Sequence, residues 1–180
     1  MNFCSDCGST GSQTIPPGDT LPRFVCDACG TIHYQNPKMV VGCIVEWEGQ
    51  LLLCQRAIEP KYGLWTIPAG FMENNETLEE ATLRETWEEA KAQVDITSLF
   101  GVFSIPAVSQ VYTIFQGKLR TLEYGAGEES LDVQLVHIHQ IPWDQLAFPV
   151  MTKALTLYCQ DRNRQECSTH VETIGPHPVG

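Results

Sequence analysis

One helical segment constrains the architecture of this chain more than any other feature. Thr77 is followed three residues later by Glu80, the spacing of a capping box, and residues 78 to about 91 contain neither proline nor glycine. β-Rich runs lie on both sides of it: KMVVGCIVEWEGQLLLCQRAI before, and LFGVFSI, QVYTIFQGKL and LDVQLVHI after. The first run reads as a hairpin turning at Glu48-Gly49, and GLWTIPAGF as a strand ending in a structured loop. Pro142 to Tyr158 gives a second helix, starting after Phe148-Pro149. Strands flanking a central helix, with another helix near the end, predict a mixed α/β layered domain rather than a bundle or an all-β barrel. The last twenty residues read as a mobile tail with one short strand around His170 to Ile174.

The helix carries an unusual charge pattern. Glu85, Glu88 and Glu89 stand at i, i+3 and i+4, so their carboxylates share one side within a single turn. Between Gly70 and Lys91 seven glutamates face only Arg84 and Lys91, and at 100° per residue both cations point away from the centre of that face. Leu78, Ala81 and Ala92 fall near the same face, which puts the acids at the edge of the packed side. There unpaired negative charge is unfavourable and a divalent cation is the natural remedy. A solvated acidic helix is the competing reading of the helix alone.

Cysteine placement marks a second unit. Four of the eight cysteines lie in the first 29 residues, as the pairs Cys4/Cys7 and Cys26/Cys29, each followed directly by glycine. That spacing fits a closed four-thiolate zinc site of structural role, with a redox-active dithiol as the alternative. A segment of this length is too short to hold itself together by core burial, so a cross-linking metal is expected. Residues 1 to 40 hold two basic against three acidic side chains, and the whole chain carries a formal charge of -11. Neither suits the basic footprint of a nucleic-acid module. No stretch approaches the roughly 20 apolar residues of a bilayer span, and the first residues lack the pattern of a signal peptide, so a cytoplasmic chain with no membrane partner is expected. Cys43, Cys54, Cys159 and Cys167 read as free thiols, and His33, His137, His139, His170 and His177 show no ligand spacing.

The 23-residue stretch GFMENNETLEEATLRETWEEAKA resembles the Nudix box: Gly70, five residues, Glu76, seven residues, then Arg84-Glu85-Thr86-Trp87-Glu88-Glu89. Lys91 stands where the box has glycine, Thr86 where an aliphatic residue is common, and Ala69 replaces the first of two frequent glycines. Together with the CxxCG pairs and SLDVQLVHIHQIPWDQLAF, the resemblance covers nearly the whole chain. It is to the zinc-ribbon branch of the Nudix family, most closely its flavin adenine dinucleotide (FAD) and ADP-ribose diphosphatases.

The resemblance implies a Nudix α/β/α sandwich with a mixed sheet, preceded by a small zinc ribbon: residues 1–35 the ribbon, 36–160 the hydrolase domain, 161–180 the tail. It implies Glu85, Glu88 and Glu89 as ligands of Mg2+ or Mn2+, Arg84 orienting a glutamate with Glu76 as its partner, and structural Zn2+ on Cys4, Cys7, Cys26 and Cys29. The general base is Glu89 or a loop carboxylate, Glu128 or Glu129. The implied reaction is metal-dependent cleavage of a nucleotide diphosphate, FAD or ADP-ribose, to AMP plus FMN or ribose 5-phosphate. NADH ranks lower, because only Ser109-Gln110-Val111-Tyr112 stands where NADH diphosphatases carry a longer motif. A non-catalytic nucleotide sensor is the rival from another class, and the complete carboxylate set speaks against it. Trp47, Trp65, Phe103 and Tyr112 are candidates for a ring slot, though most read as core. Homodimers are common among such relatives, and no residue pattern here speaks to assembly.

Overall fold

The computed structural model describes residues 1–166 and 168–175, so the readings of Cys167 and His177 lie outside the described residues. The chain divides into two compact units, Met1–Pro37 and the residues from Lys38 onward.

In the first unit three short strands, β1 (Gly11–Thr14), β2 (Arg23–Cys26) and β3 (Ile32–His33), form an antiparallel sheet. Its only buried apolar cluster is Cys4, Phe24 and Cys26 among the described residues. Three side chains cannot offset the backbone entropy of some 37 ordered residues, at about 1–2 kcal/mol each. The fold of this unit therefore depends on cross-linking its cysteines.

The second unit is built on a mixed sheet in the order β10-β5-β4-β9-β8-β11. These strands are β4 (Lys38–Trp47), β5 (Gln50–Arg56), β8 (Val94–Ile105), β9 (Gln110–Leu119), β10 (Ser130–His137) and β11 (His170–Thr173). Short strands β6 (Trp65–Thr66) and β7 (Ala69–Phe71) pair with β5 and β4 respectively. β4 runs parallel to β9, and β11 parallel to β8; the other pairings are antiparallel. The hairpin turn falls at Glu48-Gly49 with φ of 46° and 83°, the left-handed pair that matches strand twist in a two-residue loop.

β4 and β5 are buried on both faces, so their alternate residues split between two layers. Ile44, Leu51 and Leu53 pack with Val150, Met151, Ala154 and Leu155 of helix α2 (Pro149–Arg164). Cys43, Val45, Leu52 and Cys54 pack instead with Ala90, at the end of helix α1 (Leu78–Ala90). One helix thus covers each face of the sheet. Phe103 is a core residue, and Trp65 and Trp47 pack at the margins of the two clusters.

One expectation shifts. α1 stops at Ala90, and Lys91 takes the left-handed conformation (φ 49°) in which glycine is favoured, so Ala92 packs from beyond the helix rather than on its face. The second helix begins at Pro149, as expected from Phe148-Pro149, after Pro142, the short 3-10 turn at Trp143–Gln145 and an extended Leu146 and Phe148. That helix continues to Arg164, and the short strand expected around His170 to Ile174 forms as β11, paired in parallel with β8.

Candidate functional site

α1 is anchored by the capping box seen in the sequence. Thr77 Oγ1 accepts from the Glu80 amide at 3.2 Å, and Glu80 Oε2 accepts from the Thr77 amide at 2.8 Å. This fixes where the helix starts, and therefore where Glu85, Glu88 and Glu89 project. All three line one cleft of about 640 Å³, together with Arg84, Glu129, Arg56 and an apolar wall that includes Tyr112, Phe148 and Ile105.

The three glutamates differ in setting. Glu89 is almost wholly buried, 4% exposed, and its Oε2 accepts from the Ala69 amide at 2.9 Å. Burial pushes its carboxyl up to about 8, and the neighbouring Glu85 and Glu129 add to the rise. Glu85, 9% exposed, is likewise raised, again chiefly by burial and against the pull of Arg84. Glu88 is more open, with its side chain about half exposed.

Arg84 is the hub. Its Nε and Nη2 grip Glu76 in a bidentate pair at 2.6 and 3.0 Å, while Nη1 reaches Glu85 at 2.8 Å and Glu88 at 3.0 Å. Nη2 also donates to the Phe71 carbonyl. The helical-wheel reading that aimed Arg84 away from the acids is corrected: a long helical side chain folds back over the preceding turn, which brings its guanidinium among them. Glu76 is held near pKa 2 by Arg84 and by the Glu73 amide, whose N–H it accepts at 2.9 Å. Glu76 does not line the cleft; it anchors Arg84 from outside.

Two glycines let the surrounding loops close on this turn. A Cβ at Gly70 would lie within 2.5 Å of all three terminal atoms of the Glu85 carboxylate. At Gly127 it would run into the Glu88 carbonyl; the Gly127 amide instead donates to the Glu89 carbonyl at 3.0 Å. That loop carries the two loop candidates for the base, of which Glu129 lines the cleft and Glu128 does not; the third candidate, Glu89, lines it too. Three carboxylates lining one glycine-bordered cleft, two of them buried and raised, are hard-oxygen donors of the kind magnesium or manganese takes.

Arg56 escaped the sequence reading. It ends β5, is 9% exposed, donates to the Pro60 carbonyl at 3.0 Å, and lies over the Phe148 ring at 5.1 Å. Arg84 is engaged by carboxylates, whereas Arg56 lines the same cleft with no ion pair among the described residues. The only available signal was a cation closing an otherwise apolar strand, LLLCQR.

In the first unit the sulfurs of Cys4, Cys7, Cys26 and Cys29 all lie within 4.8 Å of one another. Cys4 and Cys29 stand 3.7 Å apart and Cys7 and Cys26 3.4 Å, near the roughly 3.8 Å edge of a tetrahedron with Zn–S bonds of about 2.3 Å. Gly8 and Gly30 adopt φ of 74° and 73°, and their amides close turns onto the Cys4 and Cys26 carbonyls. The Asp6 and Cys29 amides point at the Cys4 and Cys26 sulfurs at 3.4 Å, and the Thr31 hydroxyl lies 3.1 Å from Cys29 Sγ. His33 Nε2 sits 3.2 Å from Cys4 Sγ, a partner of the cluster that its spacing in the chain did not reveal. Cys43 and Cys54 are buried free thiols, and Cys159 is free and half-buried.

Residues 2–35 match the family model described as Nudix N-terminal, a zinc ribbon, and residues 36–156 match that of the NUDIX domain. A crystal structure of a NUDIX hydrolase from Nitrosomonas europaea is 51% identical with a TM-score of 0.94, covering 98% of this chain and 100% of that one. An ADP-ribose pyrophosphatase of Methanocaldococcus jannaschii is 30% identical over 124 residues, which span 64% of this chain and 69% of that protein. The NAD-capped RNA hydrolase NudC of Photobacterium profundum is 37% identical over 94 residues, 52% of this chain and 34% of that protein.

Proposed function

The chain belongs to the Nudix family of diphosphate-cleaving hydrolases, and on that premise we propose that it splits the diphosphate of FAD or ADP-ribose, releasing AMP and a second phosphate monoester. The observation that carries this reading is that Glu85, Glu88 and Glu89 line one cleft that also holds Arg56, Glu129 and an apolar and aromatic wall. Its volume, about 640 Å³, lies within the roughly 300–1,000 Å³ range of small-molecule sites.

Glu85, Glu88 and Glu89 would hold magnesium or manganese, which when bound supplies charge neutralisation for the diphosphate and a water of lowered pKa. The remaining work falls to the protein. Arg84 fixes Glu85 and Glu88 through charge-assisted hydrogen bonds, with Glu76 and the Phe71 carbonyl holding the guanidinium itself. The Ala69 amide fixes Glu89. Arg56, free of carboxylate partners, meets the phosphates of the substrate. Glu129 takes the proton from the attacking water, whose oxygen joins one phosphorus while the bridging oxygen leaves on the other phosphate. Positioning and charge account for the catalysis, as expected for phosphoryl chemistry.

The four cysteines would hold structural zinc, since their sulfurs already stand at tetrahedral spacing and leave no open position. NADH is the second reading, in line with the similarity to a hydrolase named for NAD-capped RNA. A panel of FAD, ADP-ribose and NADH with magnesium, read by AMP release, tests the assignment. Fastest release from FAD or ADP-ribose is expected; no release from any of them, or far faster cleavage of nucleoside triphosphates, contradicts it.

A further inference from the structure

The segment after α2 lies beyond residue 156, the last matched by the NUDIX domain model, yet it reaches the cleft. Gln165 turns the chain at φ 56°, and β11 then runs parallel to β8 with His170 opposite Gly101 and Thr173 opposite Ser104. Gly101 admits this approach, because a Cβ there would lie 2.7 Å from the His170 carbonyl oxygen.

A clasp back to α2 holds the strand. His170 Nε2 lies 2.7 Å from Asp161 Oδ2, with both side chains largely buried, and the His170 ring packs on Phe100 at 4.9 Å. Lys153 Nζ reaches Glu172 at 3.3 Å. The ladder continues one residue past β11, where the Ile174 amide donates to the Ser104 carbonyl at 2.8 Å. Alternation along the strand leaves Val171 81% exposed and turns His170, Glu172 and Ile174 inward. Ile174 therefore joins Ile105 and Val108 in the cleft lining. A strand that merely covered a sheet edge would need no side chain there.

We propose that Ile174, delivered by this clasped strand, is a specificity-determining residue that packs against a planar ring of the nucleotide substrate. His170 is its positioning residue and touches no substrate. The proposal rests on the diphosphatase reading of the cleft, and its test separates the two.

In the full chain with magnesium, Ile174→Ala is expected to raise KM for ADP-ribose, FAD or both about tenfold, the scale of one to two methylenes lost from apolar contact, with kcat within twofold. Ile174→Val should raise it two- to threefold, which keeps the question answerable if the alanine variant folds poorly. His170→Ala should raise KM in the same direction, His170→Gln should restore much of the loss, and Ile174→Ala in the His170→Ala background should add little. Calorimetric titration with AMP and with FMN reads the ring contact without turnover. Binding of at least one should weaken about tenfold in Ile174→Ala, which also identifies the ring. Folded Ile174 variants with unchanged KM and unchanged AMP and FMN binding overturn the proposal, as does a wild-type chain that binds neither nucleotide. A wild-type chain that binds AMP or FMN through Ile174 yet cleaves no diphosphate overturns only the catalytic reading.

Discussion

Gly70→Ala isolates the geometry of the carboxylate turn from its composition. The added methyl would lie within 2.5 Å of Glu85 Cδ, Oε1 and Oε2, where ordinary contacts start at about 3.4 Å, so the carboxylate must retreat by roughly 1 Å. Every clashing atom is the far end of a flexible side chain, so the fold survives. Glu85 cannot retreat freely, however, because Arg84 Nη1 holds its Oε1 at 2.8 Å and the same nitrogen holds Glu88 at 3.0 Å. Displacing one ligand disturbs two. A misplacement of about 1 Å costs on the order of 10²-fold in rate, so kcat for ADP-ribose with magnesium should fall about a hundredfold while the melting temperature changes little. Gly125→Ala is the control: a Cβ there meets nothing within 4 Å and its φ is ordinary, so wild-type kcat is expected. A Gly70→Ala enzyme within threefold of wild type would refute the claim that this glycine sets the carboxylate position.

Other substitutions probe the remaining parts. Glu129→Gln should lower kcat by about 10²-fold or more with little change in stability, whereas Glu128→Gln, on a residue outside the cleft lining, should leave kcat within twofold in the same assay. Lys91→Gly relieves a left-handed cap and should raise stability by up to about 1 kcal/mol in urea melts with no loss of turnover. Cys26→Ser, which removes a buried sulfur from the four-thiolate cluster, should abolish the zinc measured by elemental analysis and expose Met1–Pro37 to limited proteolysis.

What could be read from the chain was what depends on local spacing. The Thr77/Glu80 box, the i, i+3, i+4 glutamates, the Glu48-Gly49 turn and the CxxC pairs each carry their geometry in a few consecutive residues. The parallel pairing of β4 with β9 and of β11 with β8 does not, since it joins segments about seventy residues apart through backbone groups that every residue possesses. Arg56 and Ile174 acquire meaning only after that pairing brings them to one cleft. Arg84 was misjudged for a different reason: a helical wheel places Cα atoms, and a side chain this long reaches well away from its own.

Divalent cations seated among Glu85, Glu88 and Glu89 are what the proposed chemistry requires, and anomalous diffraction from manganese-soaked crystals locates them directly. One or more manganese peaks within about 2.5 Å of oxygens from those three carboxylates are expected, and none in crystals of a Glu85→Gln, Glu88→Gln, Glu89→Gln chain that keeps its zinc. Manganese absent from that turn in the wild-type protein, or bound there equally in the triple variant, would contradict the account.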